Sequence, residues 1–364
     1  MIRESSLVKP DTVEDLRAII QGAERLFPRG GQSKSGLLGL ANGLEPLEIS
    51  GLSGIVEYDP GEYTFTALAG TKVKDVEISL AEHGQYLPFD PVLSEAGATL
   101  GGVVATGLSG PGRYRYGGIR DFLLGVKFLN GDSELVSGGG RVVKNAAGFD
   151  LPKLMVGSLG QFGALVELSF KVFPMPESFS TFSTQYHSLE EGLEAVCRLA
   201  SAPFDLVAVD LLPAEDHVDL LVRLGGKKNS LAARIQRLQK LLGRGQSFRE
   251  DEEALLWRSA REFEWLPANC LLVKVPVIPK QIPNLDKCLD QHLALRRYSA
   301  GGNVAWVAWP EKAADIDQIL NSLDLSGLVV IGTAETPLLG KRTGQEFARR
   351  IKKALDPSKK WVEV

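Results

Sequence analysis

Residues 28 to 36 read PRGGQSKSG, with three glycines, two serines, an arginine and a lysine in nine positions. Such a mix suits phosphate. Glycines allow close backbone approach, and successive free amides make a concavity that holds an anion. The mononucleotide loop needs a glycine directly before its lysine and another five residues earlier, and here those places hold Ser33 and Pro28. The spacing therefore excludes a nucleoside-triphosphatase loop. The remaining readings are a differently built anion cradle and an ordinary glycine-rich turn.

Two further blocks share this chemistry. Residues 88 to 118 read PFDPVLSEAGATLGGVVATGLSGPGRYRYGG, where Gly101, Gly102 and Gly107 bracket VVAT and let backbone lie against something flat or phosphorylated. Later, Gly157, Gly160 and Gly163 form GxxGxxG within KNAAGFDLPKLMVGSLGQFGAL. This motif follows a short helix and opens a strand, whereas the dinucleotide fingerprint GxGxxG follows a strand and opens a helix. A nicotinamide-binding Rossmann fold is therefore disfavoured. Arg113, Arg115 and Arg120, in GRYRYGGIRD, suit a carboxylate ligand or a surface or interface role equally well.

The elements that must hold these blocks fall into two regimes. Of 39 glycines, 28 lie at or before Gly163, while all five tryptophans (Trp257, Trp265, Trp306, Trp309, Trp361) lie beyond it. The shift predicts two domains joined near VFPMPES, followed by a basic helical tail: 1–174, 175–335 and 336–364. In the first, DTVEDLRAIIQGA is a helix capped by Asp11 or Thr12, with a stripe of Val13, Leu16, Ile19 and Ile20. GIVEYDP, YTFTALAG and FGALVELSFKVFP read as strands, and FLLGVKFLNGDSELVSGG as a hairpin turning tightly at Asn130-Gly131. The second domain interleaves helices such as LAARIQRLQKLLG and IPNLDKCLDQHLALRR with strands such as CLLVKVPVIP and VAWVAWP. That alternation predicts an antiparallel sheet covered on one face by helices. The fold class is α+β.

Net charge of −4 and 44% hydrophobic residues describe an ordinary globular chain without a basic bias toward nucleic acid. The three cysteines (Cys197, Cys270, Cys288) are far apart and read as reduced thiols, so no metal site is expected. No apolar run approaches the roughly 18 residues of a membrane span, and the N-terminus turns polar at once, without a secretory signal. We therefore expect a cytoplasmic chain, with any membrane association made through a partner.

In order and separation, PRGGQSKSG, TLGGVVATGLSGPGRYRYGG and GRVVKNAAGFDLPKLMVGSLGQFGALVELSFKVFP resemble the signature blocks of the FAD-binding domain shared by vanillyl-alcohol oxidase and p-cresol methylhydroxylase. The resemblance implies a two-subdomain FAD-binding domain followed by a smaller α+β cap. Chain length, the small second domain and the ending RRIKKALDP are most similar to the E-subunit family of bacterial glycolate oxidases. Carried onto this sequence, it makes Arg29, Gly30, Gly31, Gln32, Ser33 and Lys34 the first loop around the FAD pyrophosphate. Thr99, Gly101, Gly102, Thr106 and Gly107 form the second segment, with Tyr116 and Gly117 at its aromatic-glycine end. Gly157, Gly160, Gly163, Ala164, Leu165 and Val166 line the adenine and ribose side. Lys144, Asn145 and Asp150 precede that block, either as part of the site or as a polar turn capping LPKLMVG.

The departures bear on mechanism. The first loop has no histidine for a covalent flavin link, so FAD is expected to bind non-covalently, with His217 and His292 of the cap the remaining candidates for attachment. Oxidising a 2-hydroxy acid needs a base, and no histidine-rich cluster supplies one; the catalytic residues are unknown from sequence. SKKWVEV replaces the ending of relatives, which leaves the tail's part in the flavin site open. The resemblance implies a flavin subunit working with a larger FAD-containing catalytic subunit and an iron–sulfur subunit on a small 2-hydroxy acid such as glycolate. A self-sufficient oxidase or reductase and a docking subunit with an empty flavin site are the alternatives.

Overall fold

A computed structural model describes residues 9–140 and 149–364, so the expectations for Lys144 and Asn145 lie outside the described residues. The first helix, Val13–Gly22, starts at Thr12. The Thr12 hydroxyl accepts from the Asp15 amide at 3.0 Å, and the Asp15 carboxylate accepts in return from the Thr12 amide and hydroxyl, completing a capping box. One face of the helix buries Leu16 and Ile20, each contributing about 1.5–3 kcal/mol on transfer from water.

Two small parallel strands, Leu26–Arg29 and Glu45–Glu48, follow. A five-stranded antiparallel sheet then runs in the order Ile55–Asp59, Thr64–Leu68, Ala164–Lys171, Leu123–Leu129, Leu135–Gly139. Strand Ala164–Lys171 is central, pairing with Thr64–Leu68 on one side and Leu123–Leu129 on the other, and it buries Val166, Leu168 and Phe170 in alternation with Glu167, Ser169 and Lys171.

Beyond residue 177 nine strands form one antiparallel sheet. Their order is Gln246–Arg249, Ser178–Tyr186, Val218–Gly226, Leu206–Pro213, Leu295–Ser299, Val304–Trp309, Leu271–Pro276, Ser326–Ile331, Leu338–Gly340. Helices Leu189–Ala200, Lys228–Leu242, Ile282–Gln291 and Ala313–Ser322 pack on one face through residues such as Val196, Leu238, Leu285 and Ile316. Leu272, Val304, Trp306 and Val330 of the other face join the core of the N-terminal half.

Two sequence expectations need correction. The helix expected across IPNLDKCLDQHLALRR stops at Gln291, and Leu295–Ser299 is a strand. Tertiary pairing overrides helical periodicity there: Arg297 donates to buried Asp210 at 2.6 Å and Tyr298 donates to Asp286 at 2.6 Å. The VVAT block is helix Leu100–Thr106, capped by Thr99 and ended by left-handed Gly107. The hairpin does not turn on Asn130-Gly131. Its loop spans Asn130 to Glu134, the Asn130 side chain accepts from the amides of Asp132 and Glu134, and Ser133 takes the left-handed conformation. Gly131 serves the tail instead: a Cβ there would sit 2.2 Å from the Asp356 carboxylate, and its amide donates to Leu355 at 2.8 Å.

The C-terminal helix, Gln345–Leu355, ends in a buried polar knot. Lys352 Nζ donates to the Asp356 carboxylate (2.7 Å) and to the carbonyls of Gln161 (3.0 Å) and Trp361 (3.1 Å). Asp356 accepts in turn from the amides of Lys360 and Trp361. Trp361 then bridges to Leu26, so the tail lies beside the strand that leads into PRGGQSKSG.

Candidate functional site

A cleft opens between the first loop, helix Leu100–Thr106 and the Ser158–Gly163 turn. The loop presses so closely on the second glycine block that a Cβ on Gly31 would lie 1.7 Å from the Gly97 carbonyl oxygen. Only a glycine chain fits there, and the packing holds the loop's backbone toward the cleft.

The walls are rich in unused donors. Among the described residues, the amides of Gly30, Gly31, Gln32 and Ser33 have no acceptor. Ser158 Oγ is buried, lines the cleft and has no hydrogen-bond partner. Lys34 is 7% exposed and its ammonium makes one hydrogen bond, to Ser33 Oγ at 3.3 Å. Burial presses its pKa down to about 8, and the Glu262 carboxylate offsets part of that. Arg29 pairs with Glu48 at 3.3 Å without a well-aligned hydrogen bond. This is a donor-rich, acceptor-poor wall, the complement of a diphosphate. The lining also includes the apolar side chains of Leu37, Ile49, Ala69, Ala105 and Leu165, which suit a flat ring system.

The expected site residues divide cleanly. Arg29, Gly30, Gly31, Gln32, Ser33 and Lys34 all line the cleft, as do Thr99, Gly101, Gly102 and Thr106. From the third block Gly160, Gly163 and Leu165 line it too. Gly107, Gly157, Ala164 and Val166 stand behind the wall: Gly107 ends the helix, Gly157 donates to the Val104 carbonyl, and Ala164 and Val166 are buried in the central strand. Tyr116 lies in an aromatic cluster with Tyr86 and Phe173, and Gly117 turns the chain at φ +86. Asp150 caps helix Leu151–Met155 by accepting from Lys153, the structural role of the two weighed for it. The apolar lining was not foreseen, since Ile49 or Ala69 lining a cleft has the same sequence signature as core.

The arginines separate as well. Arg115 pairs with Asp205 at 2.6 Å, Arg120 faces solvent, and Arg113 has no acidic partner among the described residues. His217 pairs with Asp216 and His292 with Glu311, and neither lines the cleft.

Against this geometry, a sequence profile described as FAD binding domain matches residues 5–139. Glycolate oxidase subunit GlcE of Escherichia coli is 34% identical over 299 residues, 81% of this chain and 79% of that protein. The chain belongs to the GlcE family. It is a flavoprotein and an FAD-dependent oxidoreductase. More distant are a D-lactate dehydrogenase of Archaeoglobus fulgidus (28% over 207 residues, 53% of this chain) and glycolate oxidase subunit GlcD of Bacillus subtilis (26% over 262 residues, 65% of this chain). The chain spans 44% and 56% of their lengths. Two structures of alkyldihydroxyacetonephosphate synthase superpose with TM-scores of 0.68 and 0.70 over 97% of the GlcE-like chain and 74% and 76% of theirs. At 16% identity this likeness bears on the fold alone, the two-part FAD-domain and cap architecture. No helix among the described residues is long and apolar enough to cross a membrane.

Proposed function

We propose that this chain is the FAD-binding subunit of a glycolate-oxidase-like 2-hydroxy-acid dehydrogenase complex, with FAD held non-covalently in the glycine-walled cleft. FAD, when bound, supplies the acceptor for a hydride or for electrons. The chain's own residues do the holding. The amides of Gly30 to Ser33, the Lys34 ammonium and the Ser158 hydroxyl take the diphosphate, while Ile49, Ala69 and Leu165 exclude water from the rings. The observation that carries this reading is the coincidence of unsatisfied donors lining a single cleft. Residues 1–174 would form the FAD domain, 175–335 the cap, and 336–364 a tail that braces the first strand.

The proposed partners are a larger FAD-containing subunit and an iron–sulfur subunit. The setting is cytoplasmic, with any membrane contact made by a partner. Among the described residues no histidine or carboxylate lines the cleft, which favours a role in receiving and passing on electrons. The visible spectrum of the purified chain, before and after acid precipitation, tests the cofactor assignment. A flavin band recovered in the supernatant supports it; a colourless chain that stays colourless after incubation with FAD overturns it.

A further inference from the structure

Helix Glu250–Glu262 covers the side of the nine-stranded sheet that carries Ala208 and Leu221, through Trp257 and Ala260. Its first half is tied to that sheet. Buried Glu253 accepts from Arg223 Nε (2.7 Å) and Nη2 (3.2 Å) and from the Thr181 hydroxyl (3.1 Å), and Trp257 Nε1 donates to Thr181 Oγ1 at 2.8 Å. The last turn reaches the N-terminal half and grips the turn at residues 93–97. There the Arg261 carbonyl accepts from the Leu93 amide at 3.1 Å, and the Glu262 carboxylate accepts from the Glu95 amide at 3.2 Å. Arg261 also donates to Glu77 Oε1 at 3.1 Å, while Oε2 of the same carboxylate accepts from the buried Ser94 hydroxyl at 2.7 Å.

The gripped turn is one that needs holding. Leu93 sits at φ +61, a conformation a leucine keeps only when its surroundings impose it. The turn closes through the Gly97 amide to the Ser94 carbonyl and the Ala98 amide to the Leu93 carbonyl. Its far side is the Gly97 carbonyl, the atom on which Gly31 of the first loop is seated. Arg261 lies outside the cleft lining, so any effect on a ligand there must pass through this turn. We propose that Arg261 is a positioning residue for the cofactor: through Glu77 and Ser94 it braces the turn at residues 93–97, and the turn holds the amides of Gly30 to Ser33 toward the cleft. A loop so braced spends less binding energy on ordering itself. That the cofactor is FAD rests on the proposed function; the brace on the loop rests on the contacts above.

The test is FAD titration, with dissociation rates, of the full-length chain and its variants. Affinity should fall ~10-fold in Arg261→Met, mostly as faster dissociation, and ~3-fold in Ser94→Ala, which removes only the last link. It should recover in part in Arg261→Lys and change less than ~1.5-fold in Arg258→Met, an exposed arginine of the same helix. Because Arg261 acts through the seat of Gly31, adding Arg261→Met to Gly31→Ala should cost little more than Gly31→Ala alone. Wild-type affinity in Arg261→Met, or a full ~10-fold further loss in the double variant, overturns the proposal. So does an equal loss in Arg258→Met. A wild-type chain that takes up no FAD refutes the cofactor reading instead, and the brace is then read without cofactor by trypsin cleavage after Lys34, a buried residue that the protease reaches only when the loop opens. Cleavage there should be several-fold faster in Arg261→Met than in wild type, and equal rates overturn the proposal.

Discussion

Lys34 and Lys274 are both lysines whose pKa burial presses to about 8, and they differ in what surrounds them. Lys34 sits among backbone amides in a loop three glycines make possible, all within nine residues of sequence. Lys274 sits on a strand whose register neighbours are Trp306 and Leu328, far from either in sequence. One environment is built by local backbone and the other by tertiary pairing of strands. Local sites write themselves into composition, whereas assembled ones leave a lone charged residue in an apolar strand.

The sharpest way to break the first site is Gly31→Ala. With a Cβ 1.7 Å from a carbonyl oxygen, the loop must move away from Gly97. Fluorescence titration should show FAD affinity falling by roughly 100-fold or more, as expected when several charge-assisted hydrogen bonds are lost together. Wild-type affinity in this variant would mean that the loop does not hold the cofactor.

Next in size is the tail. Lys352→Met leaves Asp356 buried without its cation, so unfolding in urea should show a loss of about 3–5 kcal/mol, the usual cost of breaking a buried pair. Lys274→Met removes a charge that has no partner, and the chain without ligands should be no less stable than wild type. Equal losses in the two variants would contradict the distinction between a paired lysine and an unpaired one.

A smaller effect concerns pH. Lys34 in the FAD-free chain loses its proton near pH 8, and a bound diphosphate favours the charged form and raises that value. Binding must then take up a proton, so FAD affinity falls as pH rises through 8 toward 10, while below about 7 the lysine contributes no slope. Stopped-flow or equilibrium titration across this range, with Lys34→Met as a flat control, measures the slope. A wild-type profile as flat as the variant's would remove Lys34 from the anion site.

Much of the fold was legible because its signals were local. The capping box of Thr12 and Asp15, the left-handed glycines and the alternating FGALVELSFK strand each act over a few residues. The segment LALRRYS misled because its strand is fixed by Asp210 and Asp286, partners that no window around it contains. Gly131 misled in another way: Asn-Gly is a strong turn signal, but the glycine is there to admit Asp356. In the site, the glycine loops were visible and the apolar lining was not, because a hydrophobic residue facing a cleft looks the same in sequence as one facing the core. The donor function of Ser158, one residue inside the GxxGxxG block, was missed although its position between Gly157 and Gly160 could have suggested it.

The central claim is that the glycine-walled cleft, with Lys34 at its edge, holds FAD. Its most direct test is FAD titration of the cofactor-stripped chain side by side with Lys34→Met and Lys274→Met. The account predicts non-covalent binding at one FAD per chain, weakened roughly 10- to 100-fold in Lys34→Met and unchanged in Lys274→Met. Equal binding by all three, or no binding by the wild-type chain, would contradict it.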